Sequence, residues 1–154
     1  YSAGALCYKI SAPVINLVGG GKNFGRVSID VDGQSGTICD DTWTQNDAMV
    51  ICKQFNKNFT AGEPYSNFPQ DDGDVVLSQP SCFGTETSIL ACASKGWKQV
   101  TSTSCLQHSL DVGVYCYSNV RLMGGSRSAD YIAGRLEVLD VSGANNWLTV
   151  CATS

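Results

Sequence analysis

The run Gly25-Arg26-Val27-Ser28-Ile29-Asp30-Val31-Asp32-Gly33, then Ser35-Gly36-Thr37-Ile38-Cys39-Asp40-Asp41-Thr42-Trp43, then Thr44-Gln45-Asn46-Asp47-Ala48-Met49-Val50-Ile51-Cys52-Lys53-Gln54-Phe55, changes its hydrophobic period partway along. Val27, Ile29 and Val31 alternate with polar residues, and a period of two marks a half-buried strand. Asp32-Gly33 then reads as a tight hairpin turn, because glycine supplies positive φ without strain. From Thr44 to Asn56 the period becomes helical: Ala48, Ile51, Cys52 and Phe55 fall on one face, which is expected to lie against the sheet. Thr44 with Asp47 three residues on makes an N-terminal cap. Asn58 to Asp74 contains Pro64, Pro69 and a cluster of acids, and predicts a long surface loop. The class is α+β, mainly β.

Eight cysteines in 154 residues, a first residue that is Tyr1, and no apolar run long enough to span a bilayer predict a processed, secreted, extracellular chain. Zinc is disfavoured as the reason for the cysteines, since no Cys-x2-Cys or His-x3-His spacing occurs and His108 is the only histidine. A net charge of −4 and a pI near 4.7 lack the basic footprint of a nucleic-acid binder and disfavour direct capture of polyanions. Asn58-Phe59-Thr60 is a glycosylation sequon, with Asn58 the acceptor.

Both ends echo the middle. Ala3-Gly4-Ala5-Leu6-Cys7-Tyr8 repeats Val112-Gly113-Val114-Tyr115-Cys116-Tyr117. Toward the C-terminus, Val120-Arg121-Leu122-Met123-Gly124-Gly125, Gly134-Arg135-Leu136-Glu137-Val138 and Trp147-Leu148-Thr149-Val150-Cys151 repeat Ile15 to Gly20, Gly25 to Ile29 and Ser35 to Cys39. The expected organisation is a strand remnant over 1–13, one complete domain over 14–117, and the N-terminal half of a following copy over 118–154. About 35 residues cannot bury enough apolar surface to fold alone. Leu122, Leu136, Val138, Leu139 and Val150 are therefore expected to be covered by the Cys7 strand or a neighbouring subunit, which favours a homo-oligomer.

The quoted stretch, followed in order by Leu77, Cys82, Gly84-Thr85-Glu86-Thr87-Ser88-Ile89-Leu90, Cys92, Trp97, Cys105, His108 and Asp111-Val112-Gly113-Val114-Tyr115-Cys116, resembles a scavenger receptor cysteine-rich domain of the six-cysteine, group A type. The resemblance implies a curved antiparallel sheet cradling one helix. It also implies the disulfides Cys39–Cys105, Cys52–Cys116 and Cys82–Cys92; six cysteines by themselves allow many pairings. Cys7 and Cys151, left over from incomplete copies, are expected to bond to each other.

The same resemblance makes Asp40 and Asp41 the candidate ligands of a hard cation, calcium being the expected cofactor. The family's third acidic ligand is replaced by Leu110 and another acidic position by Ser78, so binding is expected to be weak. Asp111, next to Leu110, is expected to point to the opposite face of its strand. Gln70-Asp71-Asp72-Gly73-Asp74 reads as a solvated acidic turn. His108 has the character of a structural hydrogen-bonding residue, and nothing in the spacing of Glu63 and Glu86 favours a paired-carboxylate hydrolase. Arg26 and Arg135 occupy equivalent repeat positions and are expected to share a role in their strands. Tyr65, Phe68 and Trp147 are the candidate ligand-binding aromatics, while Trp43 and Trp97 are read as core.

These readings converge on a secreted, non-catalytic recognition protein for an extracellular glycan, microbial surface polymer or protein ligand, with no nucleic acid and no membrane span. The alternative is an accessory fragment processed from a larger enzyme or receptor of the same family.

Overall fold

The computed structural model describes residues 11–118, 120–123, 135–139 and 147–149. Its first sheet takes strands β1 (Val14–Gly21), β2 (Phe24–Val31), β3 (Gln34–Cys39), β4 (Ala61–Tyr65), β5 (Val75–Ser78) and β6 (Gly113–Tyr117), in the order β4-β6-β2-β3-β5 with β1 paired to β2. Strand β2 organises it. One edge of β2 receives β1, and the other is shared between β3, along Ser28–Val31, and β6, along Phe24–Arg26. Dividing one edge between two strands curls the sheet. Every pairing is antiparallel except β3 with β5.

The hairpin between β2 and β3 turns at Asp32 (φ 53°) and Gly33 (φ 79°), both left-handed as a two-residue hairpin requires. The Asp30 carboxylate accepts from the Gly33 N–H at 3.0 Å and locks the turn. The side chains of Val27 and Ile29 are fully buried, as the alternation demands, but Arg26 is buried as well.

Helix α1 runs Gln45–Phe55 and begins with a reciprocal cap: the Thr44 hydroxyl accepts from the Asp47 N–H, and the Asp47 carboxylate accepts from the Thr44 N–H. Ala48, Ile51 and Cys52 are buried as expected, and Val50 joins them because the helix packs against β4, β6, β1 and the single helical turn Ile89–Ala91. Helix and sheet share one core, in which each fully buried Val or Ile stabilises the fold by about 1.5–3 kcal/mol.

The expected surface loop between Asn58 and Asp74 instead contains β4, antiparallel to β6 from Ala61↔Tyr117 to Tyr65↔Gly113. Gly62 and Pro64 hide this strand in the sequence. At a sheet edge a proline costs no ladder bond, and Gly62 lets α1 approach: a Cβ there would lie 2.6 Å from the Ala48 carbonyl oxygen and from Cys52 Sγ.

Disulfides join Cys39 to Cys105, Cys52 to Cys116 and Cys82 to Cys92, the pairing the resemblance implied. They span 66, 64 and 10 residues. On the chain-entropy account the two long loops contribute about 4 kcal/mol each and the short one about 3. Cys52–Cys116 fastens α1 to β6.

Strands β7 (Val120–Met123), β8 (Arg135–Leu139) and β9 (Trp147–Thr149) form a second antiparallel sheet in the order β7-β8-β9. Arg135 is exposed and bonds Glu137 within its own strand at 2.7 Å, so the role it was expected to share with Arg26 is not the same one. Leu136 is 39% exposed and Leu148 55%. Cys7 and Cys151 lie outside the described residues, as does Val150.

Candidate functional site

Asp40 and Asp41 follow β3 where the chain leaves the sheet, and the Asp40 N–H is tied to the Leu110 carbonyl at 3.1 Å. One oxygen of Asp40, Oδ1, accepts from the Thr42 N–H (2.7 Å) and hydroxyl (2.8 Å). The other, Oδ2, is buried without a hydrogen-bond partner. Burial pushes the Asp40 carboxyl above its ordinary value, against the lowering effect of the Thr42 bonds, and the charges of Asp47 and Asp41 push the same way. Asp41 is exposed and accepts from the Gln79 amide at 3.4 Å.

These carboxylates border an open cleft of about 290 Å³ with Trp43, Pro64, Tyr65, Ser66 and the Ser109–Gly113 segment as its other walls. Two packing interactions shape it. Trp43 donates its indole N–H to the Gly113 carbonyl at 3.0 Å, and Tyr65 packs edge-on against Phe24 with ring centres 5.3 Å apart. The fold thus brings Tyr65 of β4 beside Asp40 and Asp41. Phe68 is half-buried behind Tyr65, at 6.2 Å between ring centres, and does not border the cleft. The Trp147 side chain lies outside what the structure describes. Asn58 is exposed, and its carbonyl accepts from the Ser118 hydroxyl.

Leu110 also borders the cleft, and packs against the Cys39, Val75 and Cys105 cluster, an apolar contact no carboxylate would make. Asp111 is turned inward. Its carboxylate accepts from Thr37 Oγ1 at 3.0 Å and faces His108 Nδ1 at 3.0 Å. Ser78 is buried within β5. A hard cation in this cleft would have the carboxylates of Asp40 and Asp41 to draw on, the first with its Oδ2 enclosed and unpartnered. That donor set fits a weakly held ion and falls short of the several carboxylates of a tight calcium site.

The acidic loop is solvated at Asp72 and Asp74, as expected, but it is also tied to the sheet. Arg26 pairs with Asp71 at 3.0 Å and donates to the Pro69 carbonyl at 2.6 Å. His108 Nε2 donates to the Gly73 carbonyl at 3.0 Å, and the Thr37 N–H donates to the Asp74 carbonyl at 2.8 Å. The loop is docked onto the sheet, and Arg26 is the clamp. These bonds also engage both ring nitrogens of His108.

Glu86 collects the N–H groups of Phe83, Gly84 and Thr85, led by Phe83, and they hold its carboxyl below the ordinary range. Glu86 also lies near Cys82 and Cys92, but those sulfurs are bonded to each other and offer no metal ligand. Glu63 accepts from the Tyr117 hydroxyl at 3.3 Å. Asp40, Asp41 and Tyr65 could each be singled out in the sequence; that they border one cleft, the orphaned oxygen and the Arg26 clamp could not.

The family profile of the scavenger receptor cysteine-rich domain matches residues 18–117. A scavenger receptor cysteine-rich domain superfamily protein of Patiria pectinifera is 37% identical over 139 residues, covering 89% of this chain and 11% of that protein, so the chain spans about a tenth of that relative. Among solved structures, the dimeric form of the scavenger receptor cysteine-rich domain of mouse MARCO is 34% identical at a TM-score of 0.53, covering 63% of this chain and 89% of that one. The third such domain of murine neurotrypsin is 33% identical at 0.55, covering 68% and 96%.

Proposed function

The chain belongs to the scavenger receptor cysteine-rich domain family, and from that premise we propose that it is a secreted, non-catalytic recognition module whose ligand is an extracellular glycan, microbial surface polymer or protein. The observation that carries this reading is the cleft bordered by Asp40, whose Oδ2 is buried and unpartnered, by Asp41 and by Tyr65. Asp40 and Asp41 would hold a calcium ion, which would neutralise their two negative charges and attract hydroxyl or carboxylate oxygens of a ligand. Tyr65 supplies a ring against which a sugar or apolar side chain packs.

His108, Glu63 and Glu86 are each held by hydrogen bonds within the fold, which supports a structural role for them. The six paired cysteines support the group A type. Among the described residues no helix is long and apolar enough to cross a membrane.

The test is calcium titration by calorimetry, joined to a glycan array read with and without calcium. A dissociation constant in roughly the 0.1–1 mM range, abolished by Asp41→Ala, supports the site; a micromolar constant untouched by Asp41→Ala refutes it. A second reading, that this is one recognition unit of a larger multidomain protein, is favoured by the small share of the Patiria pectinifera relative that the chain covers. The exposed Leu136 and Leu148 and the dimeric form of the mouse MARCO domain favour a homo-oligomer. Light scattering at micromolar concentration tests it, and a strictly monomeric mass refutes it.

A further inference from the structure

At the other end of β3 from Asp40, the hairpin turn forms a recess of about 320 Å³ lined by Val31, Asp32, Gln34, Leu90 and Trp97. Trp97 and Leu90 are half-buried and pack against the main core, so the indole is anchored and only part of it faces the recess. The turn carrying Asp32 is held by its left-handed residues and by the Asp30 carboxylate. Among the described residues, no side-chain hydrogen bond engages the Asp32 carboxylate, the Gln34 carboxamide or the Trp97 indole N–H. Glu63, Glu86, Asp47 and Asp111 elsewhere in the fold are all engaged. One fixed aromatic, two apolar walls, an acceptor-only carboxylate, a carboxamide that accepts and donates, and an N–H donor make a small pocket with a few free polar groups.

We propose that this recess is a cation-independent subsite for a neutral pyranose unit of a glycan. The inference rests on the recognition reading above and assigns it one ligand class. A pyranose presents an apolar C–H face, which the indole accepts, and a rim of hydroxyls, which donate to Asp32 and exchange hydrogen bonds with Gln34. An anionic unit is opposed by Asp32 at short range. Gln34 opens β3, a six-residue strand, and Asp40 follows its last residue. That length separates the recess from the Asp40–Asp41 cleft by roughly 17–20 Å. A cation in the cleft therefore contributes nothing to binding in the recess.

The test uses the full chain on an array of neutral mannose-, glucose- and galactose-terminated oligosaccharides, in calcium and in EDTA, followed by titration of the strongest EDTA-resistant binder. Binding retained in EDTA, weakened about tenfold by Trp97→Ala or Asp32→Ala and unchanged in Asp41→Ala, is the expected result. Trp97 also packs on the core and alanine is strained at the left-handed position 32, so Asp32→Gly, which removes the carboxylate and keeps the turn, carries the decision if either alanine variant is misfolded. Glycan binding seen only in calcium and lost in Asp41→Ala overturns this subsite and leaves the recognition reading standing. EDTA-resistant binding indifferent to Asp32→Gly overturns the subsite as well. No glycan bound in either buffer overturns the subsite and removes glycans from the recognition reading.

Discussion

Asp47→Ala removes a carboxylate that holds two parts of the domain at once. Asp47 is 1% exposed. Its Oδ2 accepts from the Thr44 N–H at 2.9 Å and from the Thr44 hydroxyl, and its Oδ1 accepts from the Cys82 N–H at 2.8 Å. Losing the helix cap costs about 1 kcal/mol. Losing a charged acceptor for the buried Cys82 N–H costs about 1.5–3 kcal/mol more. Some of this is offset, because the substitution also removes a buried charge that repels Asp40. A net loss of about 3 kcal/mol remains, and for a domain of about 100 residues that lowers Tm by roughly 12–20 °C. Scanning calorimetry under non-reducing conditions reads this directly. Asp47→Asn keeps an oxygen for Cys82 but turns an amide N–H toward the Thr44 N–H, so its Tm is expected between the two. A fall of less than about 4 °C for Asp47→Ala would show that the cap and the Cys82 contact are not the supports described here.

Gly62→Ala places a methyl 2.6 Å from the Ala48 carbonyl and Cys52 Sγ, and forcing α1 away from β4 is expected to cost about 1–3 kcal/mol; an unchanged denaturant midpoint contradicts that packing. Arg26→Ala frees the loop that Asp71 and Pro69 anchor. A loss of about 1.5 kcal/mol speeds amide exchange at Thr37, which donates to Asp74, by about tenfold in hydrogen-exchange mass spectrometry; unchanged protection refutes the clamp. Asp40 has a folded-state pKa raised above its ordinary value, so its ionised form costs stability at neutral pH, and that cost is relieved as pH falls through the raised pKa. Stability profiles of Asp40→Asn should lack this acid-side gain, and calcium affinity should decline over the same pH range; a gain that persists in Asp40→Asn assigns it to another group. Finally, a peptide map without reduction should contain a Cys7–Cys151 link beside the three core bonds, and finding both as free thiols would end that proposal.

Features governed by neighbours in sequence were legible before any fold was known. The β2–β3 hairpin follows from alternation and a glycine turn, and α1 from a three-to-four-residue apolar spacing behind a Thr44–Asp47 cap, because those patterns act through hydrogen bonds and side chains within a few residues. The cysteine order carried the disulfide framework through resemblance. Where the sequence misled, long-range packing was the reason. Gly62 and Pro64 look like loop residues until β6 supplies an edge that tolerates a proline and α1 supplies a surface only glycine can approach. Asp71 looks solvated until Arg26, far away in the chain, reaches it, and the Thr37 hydroxyl that donates to Asp111 is likewise brought to it only by the fold. The paired aspartates could be read from two adjacent letters. That one of their oxygens is buried and unpartnered, with Tyr65 across the cleft, is set by which surfaces exclude water around it, and that is a property of the assembled fold.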